Sequence, residues 1–403
     1  LKVFLVHNYY GTSAPSGENM VFETEMELLQ CRDHDVAVFL RHSDDIRARG
    51  ICGKIQGALF APWNPWSVSA IRREVARCNP DVVHVHNTFP LLSPAIFRSI
   101  GRGAARVLTL HNYRLFCPAA IPLRDGATCT ECLDRKSSWP ALKYGCYRRS
   151  RLATAPLALS VALHRRIGTW SHYVDAFIVL TEFQKKVMAD AGLPSDRIYV
   201  KPNFYAGNPR PYVWAERGNY VVFVGRLSVE KGVGDLIRAW IRWGTEAPEL
   251  RIIGDGPLRD PLQQLASTSS AHIRFLGQLP SADAERQIAE AKLLVLPSVW
   301  FEGFPMVIRE AFAYGTPVAV SNIGPLPSIV KDGVNGVVFK PSDTESLLRT
   351  VCSVWKTSGS LERLGEGARR EFDIRYNANA NYDILMQIYA RALARGLART
   401  KQC

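Results

Sequence analysis

The sequence predicts an α/β protein of two domains, each a doubly wound parallel sheet, and three observations carry that prediction. The chain has 403 residues and is 47% hydrophobic, enough for two cores, each in a domain of roughly 150 to 200 residues. Short apolar runs alternate with amphipathic segments along its length, as strands joined by crossover helices do. Near the middle, residues 202–219 (PNFYAGNPRPYVWAERGN) are rich in Pro, Gly and Asn and lack periodicity, which marks a linker.

In the first half the expected strands are KVFLVH (2–7), VAVFL (36–40), VVHVH (82–86), RVLTL (106–110), AFIVL (176–180) and IYVK (198–201). In the second they are YVVFVG (220–225), ELRIIG (249–254), HIRFLG (272–277), KLLVLP (292–297) and PVAVS (317–321). Helices are expected from about 18 to 31, from 305 to 314, and from 377 to 394, the last with no strand after it. The domains are expected at 1–202 and 203–375.

Composition narrows the setting. No run approaches ~18 uninterrupted apolar residues, and LKVFLVHNYY is too short for a signal peptide, so a cytoplasmic protein is expected. The net charge is +13, and residues 1–202 hold 26 Lys and Arg against 17 Asp and Glu. Residues 117–166 carry nine basic and three acidic side chains, which suits an anionic membrane or a phosphorylated ligand as well as a plain solvated surface. Nucleic acid is the weaker partner, because no aromatic-basic recognition motif accompanies the charge.

In open parallel sheets, ligands gather at the C-terminal ends of strands. Polar groups stand at those ends here: Gly17 before the first helix, His86-Asn87, His111-Asn112, and GRLSVEKG with Arg226 and Lys231. The densest site is SVWFEGFPMVIRE (298–310), where seven residues separate Glu302 from Glu310. Pro305 at a first helical position would start a helix whose free N–H groups favour a phosphate. Two carboxylates for hydroxyl groups, with a phosphate site and two cations between, describe a nucleotide sugar. Taken alone, the acids read more plainly as a loop carboxylate and a solvated helix residue; Arg226 and Lys231 at a strand end of the same domain change that balance.

The segments FVGRLSVEKGVGDLI, IIGDGPLR, FLGQL and LPSVWFEGFPMVIREAFAYGTPVAVSNIGPLPSIVKDGVNGVVF resemble the retaining glycosyltransferases of family four, with the GT-B fold and an E-x7-E signature. The likeness is tightest over 202–345 and looser before it, where SGEN (16–19), VVHVHN and TLHNYR match. It implies two Rossmann-like domains facing a cleft, an acceptor-binding N-terminal one and a nucleotide-sugar-binding C-terminal one, with 376–403 crossing back onto the first. It further implies that Arg226 and Lys231 hold the diphosphate. Glu302, Gly303, Phe304, Met306 and Val307 would meet sugar and phosphate, Glu310 the ribose, and Gly277, Gln278 and Leu279 the base. His111 would lie beside the reacting centre and Gly17 near the diphosphate. The chain departs from the family pattern at the single Gly17 and at Pro327-Ser328.

No cofactor is expected for catalysis, since the cations and the helix start can neutralise a diphosphate. The one D-x-D string, Asp33-His34-Asp35, precedes a strand and reads as a turn, and His84 and His86 lack a third ligand in sequence. Cys117, Cys129, Cys132 and Cys146 could close a structural zinc site, or remain buried thiols or a disulfide pair. Residues 152–170 (LATAPLALSVALHRRIGTW), basic at both ends, suit either a membrane-interface helix or a buried one. The reading is a cytoplasmic glycosyltransferase, peripheral at the inner face of the plasma membrane, acting on a glycan or polyprenyl-linked acceptor. The alternatives are a sugar phosphorylase, a nucleotide-sugar epimerase, or a basic nucleic-acid-binding module.

Overall fold

The computed structural model of the chain describes residues 1–11 and 16–401. It has two compact units, one of Leu1–Pro122, Thr130–Pro202 and the chain from Asn381, the other of Leu123–Cys129 and Asn203–Ala380.

The first unit is built on β1 (Lys2–Tyr9), β2 (Asp35–His42), β3 (Val82–Val85) and β4 (Ala105–Leu110), followed after a short β5 (Leu123–Arg124) and β6 (Ala127–Thr128) by β7 (Ala176–Val179) and β8 (Ile198–Val200). The six long strands make one parallel sheet in the order β2-β1-β3-β4-β7-β8. Val3 pairs with Val36 on one side and Val82 on the other. Helices cover both faces, so Val3 to Val6 are all buried and the strand reads as an unbroken apolar run. The closing helix Ala378–Lys401 adds Leu385, Ile388, Tyr389 and Ala392 to the core around Val3, Leu5, Val107 and Ile178, a spacing of three and four that lines one helix face.

The second unit has β9 (Gly218–Val224), β10 (Glu249–Ile253), β11 (Ile273–Gly277), β12 (Ala291–Leu296), β13 (Val318–Ser321) and β14 (Gly336–Phe339), parallel in the order β11-β10-β9-β12-β13-β14. In each unit the chain runs outward from a central strand and then returns to its other side. The strand order therefore reverses between β1 and β3, and between β9 and β12, where the loops diverge and leave a crevice.

Several expectations shift. β14 and the β5-β6 hairpin were not expected, and the closing helix extends past 394. Pro305 is the residue before helix Met306–Tyr314 and not its first member. Residues 152–170 are not one helix: Arg151–Arg166 ends at Gly168, whose φ of 64° is the left-handed turn that stops it, and Thr169–Tyr173 starts afresh. Among the described residues no helix is long and apolar enough to cross a membrane.

Candidate active site

The loops after β9 and β12 meet at the crevice of the second unit. Gly232 makes this possible. Its φ is 67°, and a Cβ there would stand 2.0 Å from the Pro297 carbonyl oxygen, so only glycine lets the two loops touch. The Val299 amide also donates to the Glu230 carbonyl at 2.9 Å. The consequence is an ion pair with its carboxylate buried and its ammonium partly exposed: Lys231 Nζ donates to Glu302 Oε1 at 2.7 Å, and Ser298 Oγ donates to the same oxygen at 2.6 Å. Ser321 Oγ in turn donates to the Ser298 carbonyl, fixing the loop from β13. Both partners use one carboxylate oxygen, which leaves Oε2 to accept from a ligand hydroxyl.

Phe304, buried against Tyr376 with ring centroids 5.5 Å apart, turns the chain into helix Met306–Tyr314. The first-turn amides, at Met306 and Val307, have no intrahelical acceptor and carry the positive end of the helix dipole. Glu310 lies one turn further on, buried; burial pushes its carboxyl up to about 7, Glu285 adds to the shift, and Arg309 opposes it. Arg226 is exposed just after β9 and forms no ion pair with any described residue. Gly277 ends β11, two strands from β9, and Gln278 and Leu279 follow it, with the Gly277 carbonyl accepting from the Gly254 amide at 2.8 Å. The structure thus joins Lys231 to Glu302 directly, and sets Glu310 and 277–279 apart from that pair.

In the first unit Gly17 opens helix Gly17–Gln30; residues 12–15 of the preceding loop lie outside the described residues. His111 follows β4, and its Nε2 lies 3.2 Å from His86 Nδ1. Behind them is a charge cluster that sequence alone did not assemble. Glu25 Oε1 approaches His84 Nδ1 at 3.1 Å and His86 Nε2 at 3.2 Å, and Oε2 accepts from Lys201 Nζ at 2.6 Å. Burial would raise the Glu25 carboxyl, but Lys201, His84 and His86 together hold it well below the usual carboxylate range. Burial, with His86 and His7 nearby, keeps His111 neutral. Between His86 Nδ1 and His111 Nε2 one nitrogen donates and the other accepts, the direction set by the two tautomers.

His86 and His111 line a cavity that opens to solvent. Its inner wall is apolar (Phe97, Leu108, Leu110, Leu157, Val161, Trp170), and Glu18, Asn112 and Arg114 add polar groups. Burial pushes the Glu18 carboxyl up to about 8 against the opposing pull of Arg114 and Asn112. The Asn112 amide reaches Glu18 Oε2 at 3.5 Å. At neutral pH Glu18 can therefore donate as well as accept. It stood in the SGEN segment, but nothing in the sequence marked it as enclosed.

Among the described residues only Glu25, His84 and His86 bring three metal-ligand atoms within 4.8 Å of one another. The third ligand missing from the sequence reading is thus Glu25, yet the Lys201 ammonium already supplies its cation. No cysteine belongs to such a group. Burial pushes the Cys117 thiol up to about 12, with Cys132 and Cys146 adding to it. Asp33, with φ 57°, turns the chain into β2 at the opposite strand end from the site, as its D-x-D string suggested.

Known proteins resemble both halves. A model described as Glycosyltransferase Family 4 matches residues 17–205, and one described as Glycosyl transferases group 1 matches 207–371. An exopolysaccharide phosphotransferase of Streptomyces coelicolor is 33% identical over 48% of this chain, which spans 21% of that protein's length. The putative teichuronic acid biosynthesis glycosyltransferase TuaC of Bacillus subtilis is 22% identical over 94% of this chain and 97% of its own. Among solved structures, HepE of Anabaena in complex with UDP covers 97% of this chain and 100% of its own at a TM-score of 0.66 and 16% identity; a UDP-glucose complex of HepE matches at 0.64. With a glycosyltransferase model matching each half of the chain and glycosyltransferases as its structural neighbours, the two six-stranded parallel sheets form the GT-B fold.

Proposed function

We propose that the chain moves a sugar from a nucleoside-diphosphate sugar to a glycan or polyprenyl-linked acceptor, with retention of anomeric configuration, as a peripheral enzyme at the cytoplasmic face of a membrane. The Lys231–Glu302 pair beside the start of helix Met306–Tyr314 carries this reading. Glu302 Oε2 accepts from donor sugar hydroxyls, the first-turn amides and Lys231 meet the diphosphate, and Arg226 adds a free guanidinium as negative charge grows on the leaving group. Glu310, one turn along, takes the ribose hydroxyls. On the acceptor side, His111 and Glu18 bond hydroxyl groups at the cavity. The bond from the anomeric carbon to the diphosphate oxygen breaks and one to the acceptor oxygen forms on the same face, the acceptor proton passing to the departing phosphate. The UDP and UDP-glucose bound to the structural neighbour support a donor of this class.

The test is a thermal-shift screen of nucleotide sugars followed by NMR of the product. A matching donor at about 100 times its dissociation constant should stabilise the fold by roughly 3 kcal/mol. Free nucleoside diphosphate should appear only when acceptor is added, and the new linkage should keep the donor's configuration. No stabilisation by any nucleotide sugar, or an inverted product, would overturn the reading. A structural zinc in the cysteine segment remains a proposal from sequence spacing alone, and elemental analysis of the purified protein tests it.

A further inference from the structure

The helix Gly50–Phe60 is amphipathic the wrong way round for a soluble surface. Its inner face is glycine: a Cβ on Gly53 would stand 2.3 Å from the Ile46 carbonyl oxygen, and one on Gly57 3.1 Å from Ile46 Cδ1. Its outer face carries Ile51, Ile55 and Leu59, which are 74%, 55% and 67% exposed. These recur every four residues and form one stripe. Trp66 continues it, 61% exposed, with its ring edge-on to Phe60 at 4.4 Å.

The helix packs on Arg151–Arg166, whose Leu152 and Leu159 are 88% and 59% exposed. Between the two helices the chain is pinned: Ser160 Oγ donates to the Ala61 carbonyl at 3.3 Å, His164 Nε2 lies 2.8 Å from the Pro62 carbonyl, and Trp63 stacks on His164. The two apolar stripes therefore lie on a rigid base. Isolated exposed leucines mean little, but a contiguous patch of this kind marks a contact surface.

Charge selects the contact. Lys54, Arg148, Arg149, Arg151 and Arg166 are exposed on the same two helices and the turn before them, and residues 135–166 contain eight Lys and Arg with no Asp or Glu. A second copy would set this basic face against itself, and a nucleic acid would leave the isoleucines and leucines in water. Apolar tips ringed by arginine and tryptophan match the interface of an anionic bilayer.

We propose that this face docks on an anionic lipid surface, Ile51, Ile55, Leu59 and Trp66 entering the headgroup region while Lys54 and Arg148, Arg149 and Arg151 meet lipid phosphates. It deepens the peripheral-membrane part of the function proposed above and rests on that part alone. The inner side of Arg151–Arg166 supplies Leu157 and Val161 to the cavity, so one helix joins the docking face to the apolar wall. An acceptor with a hydrophobic tail would reach that wall without leaving the membrane surface.

The experiment is co-sedimentation of the full chain with phosphatidylcholine vesicles, with and without phosphatidylglycerol. Binding is expected only to the anionic vesicles, weakening with salt. The double variant Ile55→Glu/Leu59→Glu should lose at least tenfold in vesicle affinity, and Arg148→Ala/Arg149→Ala/Arg151→Ala about fivefold per residue. Both should keep the wild-type melting temperature and nucleotide affinity, because every altered side chain is on the surface. Ile55→Gln/Leu59→Gln repeats the test without added charge. Wild-type protein that ignores both vesicles, or variants that bind as well as wild type, would overturn the proposal. A dimer that the Ile55/Leu59 variants split, with no vesicle binding, would assign the face to a second copy instead. Failure of every nucleotide sugar to bind would strike the catalytic reading and leave the vesicle result standing.

Discussion

Two acids in one short stretch have different chemistry, and the difference is measurable. Glu302 is held by Lys231 and Ser298, whereas among the described residues Glu310 has no cation closer than Arg309, at 3.9 Å. In the proposed donor complex Glu302 meets the sugar and Glu310 the ribose. Glu302→Gln should therefore reduce transfer while leaving the free nucleoside diphosphate bound as before. Glu310→Gln should weaken nucleotide binding about tenfold or more, since a hydrogen bond to a charged group contributes roughly 1.5 to 3 kcal/mol. Calorimetry on both variants checks this; equal affinities would remove the assignment. Glu310 also makes a pH prediction. Its folded carboxyl titrates at about 7 against a reference of 4.5. The fold thus prefers the protonated acid: this contribution is fully present below 4.5 and is lost as pH rises through about 7. The melting temperature of Glu310→Gln relative to wild type should climb across that window and level off above it, by no more than roughly 3 kcal/mol in stability. A flat difference from pH 4.5 to 8 would contradict the assigned environment.

At the level of elements, one glycine decides whether the two loops of the second unit can meet. Gly232→Ala would force a side chain into a left-handed backbone and against the Pro297 carbonyl. A loss of about 2 kcal/mol or more in stability is expected, with nucleotide affinity falling as Lys231 is displaced. Unchanged melting and affinity would mean that the loops do not need this contact. Such features divide what the sequence disclosed from what it concealed. Buried parallel strands were legible because both faces are covered, so β1, β4, β9 and β12 stand out as apolar runs. The two-residue strands of the hairpin are too short to leave a pattern. Gly168 was visible inside 152–170, but the apolar run LATAPLALSVAL before it masked it as a helix breaker. In the site, Lys231 and Glu302 were legible as strand-end residues, whereas their shared oxygen was not. The Glu25–Lys201 pair joins positions 176 residues apart, which no local periodicity can announce. Lys201→Met tests it: leaving Glu25 buried without its cation should destabilise the protein by about 3 to 5 kcal/mol, read by denaturant melts at neutral pH. Stability within 1 kcal/mol of wild type, or about that, would mean that the histidines alone satisfy Glu25.

For the molecule as a whole, the remaining question is how a diphosphate's charge is balanced. The chain carries +13, of which +9 falls in residues 1–202 and +4 in the rest. At the donor crevice Glu302 offsets Lys231, leaving Arg226 and a helix start that contributes roughly half a positive charge. A catalytic magnesium or manganese would instead need carboxylates converging at the phosphates. Among the described residues of the second unit no three acidic, histidine or cysteine groups converge at ligand distance, and the one such group in the chain has the Lys201 ammonium in place. In the proposed reaction protein cations stabilise the leaving group. Transfer should persist within about twofold in a chelator of divalent cations, whereas Lys231→Ala or Arg226→Ala should each lower turnover on the order of a hundredfold, the effect of losing one preorganised contact worth about 3 kcal/mol. Melting curves taken alongside separate loss of chemistry from loss of fold. The two arms have to agree. Activity that vanishes in chelator and returns with magnesium, while both cation variants turn over normally, would move the leaving-group charge from these side chains to a metal.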